Sequence, residues 1–432
     1  MNITDTFIDG LVKKSQAIPF QVTVQTKKCL LDYLGVTIGG LRYLKDVHPE
    51  LIATAQSPVF LNGFAAHVLE LDDGHRHGMI HLGASVVTAV LEAANNEDLK
   101  SDDVLRGIVM GYEVAVRCAR AIQPGHKERG FHVSGTCGTI GSAMGVAFAC
   151  GFKREQINST LACAVSSAAG VLEIQEQASE LKPYNVGRAA MAGVVAAQVG
   201  KLALPGPDDI LGGERGFLAA LTGTPKPEFL TEFFNDDYAI MGIYQKVHAA
   251  CRHCHPAIDA TLDLRNDLRF ALEDVDKIEV HTYKLAVGSH DHIDIKGISS
   301  AKLSTPFSVA LALVRSSAGY ADYNEANLND YWINKITRKV KVIEDEELTK
   351  RSPGVRGSRV TFYLKNGGVF EAPCLYPKGE PENPLTQEEL ESKFQSMAQY
   401  GGLTEKECNV VLSEIRKQDF SVKKIMNLVC KK

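Results

Sequence analysis

The chain lacks a long apolar run, a basic cluster and an N-terminal targeting pattern. No segment is apolar over the length that a bilayer requires, so no membrane-spanning helix and no membrane partner are predicted. The net charge of −5 leaves no electrostatic footprint for nucleic acid. The opening sequence MNITDTFIDGLVKKSQ contains acids and no uninterrupted apolar stretch, so we expect no signal peptide.

Internal repeats and low-complexity tracts are also missing. The 10 cysteines, without a predicted secretory signal, indicate buried reduced thiols rather than a disulfide framework, and we expect a cytoplasmic protein. A composition of 45% hydrophobic and 23% charged residues is typical of globular proteins. A length of 432 residues favours more than one domain.

Residues 1–266 are predicted to form a large helical domain. Apolar positions recur at helical spacing, and the first long helix is predicted to end at Gly39-Gly40. The density of Ala, Gly and Ser lets helices approach closely, which favours an internal bundle. The predicted helices span 20–42, 102–121, 136–151, 154–172 and 186–204.

Residues 267–380 are predicted to form a smaller α+β domain, because alternating apolar residues replace the helical period. A hairpin turn is expected at Asn366-Gly367. The C-terminal segment 381–432 is predicted to return to the helical domain, so the fold class is mainly α with a smaller α+β domain. The predicted elements are strands at 276–284 and 335–344, a hairpin at 358–372, and helices at 302–316, 386–398, 403–417 and 420–430.

A polar insert interrupts the apolar helical pattern within residues 62–92. Buried charges need partners, and clusters of ionisable groups between buried helices are candidates for functional sites. The alternative is an ordinary loop with one salt bridge. The ionisable residues of the insert are Glu70, Asp72, Asp73, His75, Arg76, His77 and His81.

Two further segments place polar residues at predicted helix starts. In 130–141 (GFHVSGTCGTIG), His132 precedes a glycine-rich turn, where free N–H groups favour an anion. In 181–193 (LKPYNVGRAAMAG), Lys182 and Arg188 oppose the helix dipole, and a bound anion would explain them. Glycines for close packing and a surface salt bridge are the alternatives. The glycine spacing does not match a dinucleotide fingerprint.

The segment 246–259 (KVHAACRHCHPAID) is the densest cluster. Its C-x-x-C with neighbouring histidines resembles half of a zinc site, which 289–294 (SHDHID) could complete. A cation beside a metal is repelled, so Arg252 argues against this interpretation, and we predict no metal. The cluster contains Lys246, His248, Cys251, Arg252, His253, Cys254 and His255.

Cations and histidines from these segments would form a cationic pocket if they converge. The residues are Arg76, His81, His132, Lys182, Arg188, Lys246 and Arg252. Such a pocket suits a small polycarboxylate, because a Lys or His base can remove a proton α to a carboxylate while neighbouring cations stabilise the resulting charge.

The ordered motifs NGFAAHVLELDDGH, GFHVSGTCGTIG, LKPYNVGRAA, CRHCHPAIDA, AKLSTPFSVALAL and YPKGEPENPLT resemble the MmgE/PrpD family. The resemblance runs from about residue 20 to residue 400. It implies a large helical domain, an α+β lid, a homodimer, and catalysis without metal or organic cofactor. It also implies that four side chains are catalytic, namely His81, His132, Lys182 and Lys246. The expected substrate-binding set is Glu70, Asp72, Asp73, Arg76, Arg188, Cys251 and Arg252.

Some positions depart from the family patterns. The pattern that resembles the decarboxylases has His at the position of Cys251 and Tyr at the position of Phe307. The absence of this His and Tyr removes a proton donor near a leaving carboxylate, which disfavours cis-aconitate decarboxylation specifically. Leu-His-x-Gly often follows the Lys-Pro, where this chain has Tyr184-Asn185-Val186-Gly187.

The sequence therefore predicts a PrpD-type lyase acting on a small di- or tricarboxylate, such as a 2-methylcitrate-like, citrate-like or cis-aconitate-like compound. His132 is the expected base and His81 the acid, with Lys182 and Lys246 binding substrate carboxylates. The first alternative is a cofactor-independent epimerase of the iminodisuccinate epimerase type. The second is a non-catalytic helical scaffold or zinc-binding protein.

Overall fold

A computed structural model describes residues 2–176, 179–233, 238–266, 270–288 and 290–429. The chain divides into two compact units. The first unit comprises Met1–Ile174, Leu181–Gln245 and Thr386–Lys432, and the second comprises Gln175–Glu180 and Lys246–Leu385. Some residues of the predicted elements and motifs lie outside the described residues, namely 267–269, Ser289 and Cys430.

Helices build the first unit up to residue 245. A small sheet in this unit pairs β1 (Gly74–His75) with β2 (Ile243–Tyr244) in antiparallel fashion. The helices are α1 (Ile3–Ser15), α2 (Phe20–Val47), α3 (Pro49–Thr54), α4 (Pro58–Val68), α5 (Thr88–Glu97), α6 (Ser101–Ile122), α7 (Gly125–Glu128), α8 (Val133–Ala149), α9 (Arg154–Ser166), α10 (Lys182–Gly200), α11 (Phe217–Leu221) and α12 (Glu228–Thr231).

Helix α8 lies at the centre of the first unit, and all of its 17 residues are buried. It packs against α6 and α10. A Cβ atom at Gly141 would lie 2.7 Å from the backbone oxygen of Gly111, so α6 and α8 approach closely only because both positions are glycine. The predicted internal bundle of small-residue helices is confirmed.

The second unit combines helices with a four-stranded sheet in the order β4-β3-β5-β6. Strands β3 and β4 are parallel, while β5 is antiparallel to both β3 and β6. The strands are β3 (Val275–Thr282), β4 (Val340–Glu344), β5 (Ser358–Leu364) and β6 (Val369–Cys374). The helices are α13 (His255–Asn266), α14 (Ile298–Leu303), α15 (Thr305–Arg315), α16 (Glu325–Leu328), α17 (Tyr331–Thr337) and α18 (Glu346–Arg351).

The chain then returns to the first unit through α19 (Gln387–Tyr400), α20 (Glu405–Arg416) and α21 (Val422–Val429). Helix α19 packs against α2. The mainly α fold class with a smaller α+β part is confirmed. The structure groups residues 246–266 with the second unit, because α13 packs on β5, β6 and α15.

Several predicted element boundaries were wrong. The helix predicted at 186–204 spans Lys182–Gly200, and the helix predicted at 302–316 is two helices, α14 and α15. Helix α2 continues through Gly39-Gly40 to Val47, because tertiary packing rather than a helix stop explains these glycines. Helix α9 ends at Ser166, ahead of Gly170 with a φ of 127°. Strand β4 begins only at Val340, because the Asp330 carboxylate caps a helix over Tyr331–Thr337.

The predicted hairpin turn at Asn366-Gly367 is confirmed. The 358–372 hairpin forms, and Gly367 in its turn has a φ of 86°, which favours glycine. Among the described residues, no helix is long and apolar enough to cross a membrane. None of the described cysteines forms a disulfide.

Candidate active site

The polar insert of the first unit folds around the carboxyl group of Asp72. Its Oδ2 lies 2.8 Å from Nδ1 of His67 and 3.4 Å from Nδ1 of His81. Burial alone would raise the pKa of Asp72, but His67 and His81 together lower it by more than burial raises it. The net pKa lies below the usual range. Asp72 is therefore a carboxylate that holds two imidazole rings.

The ring of His81 is oriented by two oxygen atoms. Its Nδ1 lies 2.8 Å from the backbone oxygen of Asp73 and faces Asp72. A carbonyl oxygen only accepts, so Nδ1 carries the proton, and Nε2 is the basic nitrogen of the neutral ring. The backbone N–H of His81 donates to Oγ of Ser134 at 3.0 Å. The side chain is 15% exposed, so the ring is accessible to a ligand.

Asp73 is buried in a different environment. Its Oδ2 accepts a hydrogen bond from the Tyr112 hydroxyl at 2.6 Å, and its Oδ1 accepts one from the backbone N–H of Gly83 at 2.8 Å. Burial raises the pKa of Asp73 to about 7, although these hydrogen bonds favour the carboxylate. The hydrogen bonds connect the insert to α6 and to the π-helical turn Gly83–Val87.

His132 precedes the first residue of α8 and is buried. Its Nδ1 lies 3.0 Å from Nδ2 of Asn185, at the start of α10. Burial, with Lys182 as the next contributor, lowers the pKa of His132 well below its ordinary value. His132 is therefore a neutral imidazole at pH 7.

Lys182 and Glu70 form an ion pair between α10 and the insert. Nζ of Lys182 donates to Oε1 of Glu70, and the two side chains are only 12% and 11% exposed. Glu70 has a φ of 56°, a left-handed conformation that is uncommon outside glycine. Pairing lets a cation persist in a largely buried region next to His132.

Arg188 hydrogen-bonds to protein carbonyl groups. Its guanidinium donates to the backbone oxygen atoms of Gly135 at 3.0 Å and Ala169 at 2.6 Å. These carbonyls explain a cation at this helix start without a bound anion. Arg76 is half-buried in the same unit. Substrate binding by Arg76 and Arg188 stays a prediction.

The remaining predicted site residues lie in the second unit. Lys246 is buried, at 1% exposure. Arg252 is buried and pairs with Glu380, with 2.7 Å between its Nε and Oε1 of Glu380. His248 Nε2 lies 2.6 Å from Oδ1 of Asp259. The predicted convergence of these residues with those of the first unit stays a prediction.

Cys251, His253 and His290 offer three metal-ligand atoms within 4.8 Å of one another. Cys251 Sγ lies 3.7 Å from Nε2 of His290, and Nδ1 of His290 lies 2.8 Å from the backbone oxygen of Leu303. This arrangement includes a residue of SHDHID, as the zinc alternative anticipated. Because Arg252 is neutralised by Glu380, its charge no longer argues against a metal.

Several residues of the site were missed by sequence reasoning. His67 lies in an apolar helix and is 5 residues from its partner Asp72. Tyr112 is 39 residues from Asp73, and Asn185 is 53 from His132. A polar residue on the buried face of a helix is the signal that could have identified them.

The structure thus defines a two-unit, mainly helical protein with a buried set of ionisable side chains in its helical unit. A family model described as MmgE/PrpD N-terminal domain matches residues 11–230, and one described as MmgE/PrpD C-terminal domain matches residues 248–416. The chain belongs to the MmgE/PrpD family.

Similar proteins are known from a fungus and from mammals. The chain is 23% identical to the cis-aconitate decarboxylase-like protein oryM of Aspergillus oryzae, over 92% of both chains. It is 24% identical to the cis-aconitate decarboxylase of Homo sapiens, over 92% of this chain and 82% of the human one. For the cis-aconitate decarboxylase of Mus musculus the values are 25%, 78% and 71%.

Proposed function

We propose that this protein is a cofactor-independent lyase of the PrpD type that removes a proton α to a carboxylate of a small di- or tricarboxylate. The observation that carries the proposal is the orientation of His81. Its Nδ1–H is held by the Asp73 carbonyl and faces the Asp72 carboxylate, which leaves Nε2 as the basic nitrogen. A carboxylate behind an imidazole stabilises the cation that forms when the ring takes up a proton.

The hydrogen bonds favour exchanging the two roles that the sequence predicted. His81 has a basic nitrogen on a partly exposed ring, as a base requires. His132 is buried, neutral, and accepts at Nδ1, so it suits the stabilisation of developing negative charge. Family membership and relatives named as decarboxylases support a carboxylate substrate.

Lys182 is the cation that we assign to substrate binding in the first unit. Its ammonium group is largely buried and paired with Glu70, so a substrate carboxylate would compete with Glu70 for it. Catalytic participation of Lys246, and substrate contacts of Cys251 and Arg252, follow from the resemblance and remain part of the proposal.

Proton abstraction is common to dehydration and epimerisation. A hydro-lyase also needs an acid for the leaving hydroxyl, whereas an epimerase needs a donor on the second face. The epimerase is therefore the runner-up. Decarboxylation of cis-aconitate is less favoured, because Cys251 and the buried Phe307 replace the His and Tyr of the decarboxylase pattern.

Proton NMR in D₂O tests the proposal with citrate, 2-methylcitrate, cis-aconitate and aspartate-derived dicarboxylates. Loss of water with appearance of a vinyl proton supports the hydro-lyase, and exchange of an α-proton without loss of water supports the epimerase. Loss of CO₂ supports the decarboxylase. If no compound exchanges or reacts, the proposal fails.

Variants test the residues. We expect His81→Gln to lower turnover by about 10²–10⁴-fold, the usual contribution of a positioned base, with His77→Gln as an exposed control from the same insert. We expect Lys182→Met to raise KM more than it lowers kcat. The double variant Glu70→Gln/Lys182→Met controls for the loss of the ion pair between the two side chains. Normal turnover of His81→Gln would exclude it as the base.

Metal binding is the alternative that a specific observation favours, namely the Cys251, His253 and His290 group. Metal analysis of untagged protein discriminates between the two functions. One equivalent of zinc that survives a chelator and disappears in Cys251→Ser would contradict the metal-free proposal.

A further inference from the structure

The amide of Asn185 lies between the ring of His132 and a backbone carbonyl. Its Nδ2 lies 3.0 Å from Nδ1 of His132 and 3.3 Å from the backbone oxygen of Val171. Asn185 is 3% exposed and His132 is 6% exposed, so water does not compete freely for these contacts. All three groups belong to the first unit.

The Val171 carbonyl determines which way the amide points. A carbonyl oxygen can only accept, so it requires the amide nitrogen on its side. The reversed orientation would place the amide oxygen 3.3 Å from another oxygen and leave both without a proton between them. The two N–H bonds of the amide are therefore directed at Val171 and at His132.

The backbone holds these partners in place. Phe131 and Val171 form an antiparallel bridge, in which the N–H of Leu172 donates to the oxygen of Gly130 at 2.8 Å. The N–H of His132 donates to the oxygen of Gly170 at 3.0 Å. The same bridged backbone segments thus hold the Val171 carbonyl and the His132 ring. Asn185 contacts both from the first turn of α10.

The ring must accept at Nδ1, because it faces an N–H group there. A neutral imidazole that accepts at Nδ1 carries its proton on Nε2. Protonation of Nδ1 would bring two N–H groups together, so Asn185 also opposes the charged ring. Among the described residues, the contact with Asn185 is the only hydrogen bond of the His132 side chain.

We propose that Asn185 is a positioning residue that fixes His132 in the tautomer with its proton on Nε2, so that this ring meets the substrate as a neutral hydrogen-bond donor and not as the base. The catalytic role that this inference gives to His132 rests on the proposed function. When the base takes up the α-proton, the electron pair of the broken C–H bond moves onto the substrate carboxylate. The Nε2–H then hydrogen-bonds to that oxygen without transferring its proton.

The chain offers a conservative change that reverses the polarity of the contact. In Asn185→Asp, a carboxylate accepts where an amide donated. The His132 proton should therefore move to Nδ1, and the pKa of the ring should rise. Turnover should fall by about 10²–10³-fold, the usual loss on removal of a charge-stabilising donor, with a small change in KM.

Nitrogen-15 NMR of the histidine rings in the full chain, without substrate, measures the tautomer directly. Loss of a signal in His132→Gln identifies the ring. We expect the Nε2–H pattern in the unmodified protein, the Nδ1–H pattern or a charged ring in Asn185→Asp, and no change in Asn329→Asp, an exposed control.

An Nδ1–H or charged His132 in the unmodified protein at pH 7 would overturn the inference, and so would an unchanged tautomer in folded Asn185→Asp. The spectrum of the unmodified protein decides the question even if the variant does not fold. An Nε2–H ring in a protein that processes no polycarboxylate would refute the proposed function and leave the tautomer assignment standing.

Discussion

Asp72 and Asp73 are adjacent in the chain, yet the pKa values of their carboxyl groups shift in opposite directions. Both are buried. Asp72 faces His67 and His81, and its net pKa lies below the usual range. Asp73 accepts hydrogen bonds from neutral groups, which do not offset the effect of burial. Burial therefore raises its pKa to about 7. Hydrogen bonds from neutral groups offset less of the desolvation cost of a buried carboxylate than two imidazole rings do.

The stability contribution of Asp73 should therefore depend on pH. Its folded pKa of about 7 exceeds its unfolded pKa of about 3.9, so the folded state binds the proton more tightly. The contribution is full below pH 4 and is lost as pH rises to about 7, with a slope of about 1.4 kcal/mol per pH unit. Urea unfolding between pH 4.5 and 7.5 should show a smaller decline for Asp73→Asn than for the unmodified protein.

Asp72→Asn is the matched control for that measurement. The folded pKa of Asp72 is lowered, so its contribution is present above the unfolded pKa and lost as the pH falls towards the folded pKa. Above pH 4.5 the Asp72 carboxyl group is largely ionised in both the folded and the unfolded state, so Asp72→Asn should leave the decline between pH 4.5 and 7.5 nearly unchanged. The same dependence in both would contradict the difference between their environments.

Sequence patterns identified the ionisable side chains of the insert but not their partners. His81, Asp72 and Asp73 lie together in the chain, so their proximity was visible. Tyr112 and Asn185 come from other helices, and only the packing of α6, α8 and α10 brings Tyr112 to Asp73 of the insert and Asn185 to His132. Arg188 was predicted to bind an anion because its charge opposes the helix dipole. Its carbonyl partners, Gly135 in the first turn of α8 and Ala169, are far from it in the chain, so the sequence did not indicate them.

At the scale of elements, α2 shows why helix existence was easier to predict than helix length. Its apolar period predicts the helix, but Gly39-Gly40 resembles a stop signal. In the structure these glycines face neighbouring helices. A Cβ atom at Gly40 would lie 1.9 Å from the backbone oxygen of Ala65 in α4. Local propensity and tertiary packing make opposite demands here, and packing prevails.

Gly40→Ala should therefore destabilise the protein despite the better helix propensity of alanine. The propensity gain is about 1 kcal/mol, whereas a backbone clash in a packed core costs typically about 1–3 kcal/mol or more. We expect a lower midpoint in chemical denaturation followed by circular dichroism. Gly223→Ala is the control, since a Cβ atom there meets nothing within 4 Å. Equal midpoints for both variants would contradict the close contact of α2 and α4.

At the scale of the whole molecule, the ordered motifs predicted the family, and matches over 11–230 and 248–416 confirm it. The composition and the motifs could not indicate which residues pack into each unit, because contacts between segments far apart in the chain decide it. The homodimer that the resemblance implies stays a prediction. One helix of the first unit carries a row of exposed apolar residues, namely Tyr184, Met191 and Val195 of α10.

We expect sedimentation equilibrium to give the mass of a dimer. If this row on α10 is buried between two copies, Val195→Lys should weaken association, because a charge in an apolar interface is costly. Val369→Lys in β6 is the control, with 58% exposure against 52% for Val195. A monomer at every concentration would refute the homodimer, and equal masses for both variants would place the interface elsewhere.

The return of α19 to α2 has a consequence for biosynthesis. Lys393 of α19 lies 2.6 Å from the buried carboxylate of Asp32 in α2, and a Cβ atom at Gly35 would lie 3.1 Å from Cα of Phe394. Ribosomes add about 5–20 residues per second, so roughly 15–70 s separate the end of α2 from the start of α19. Throughout that interval Asp32 has no Lys393, and one face of α2 remains uncovered on the nascent chain.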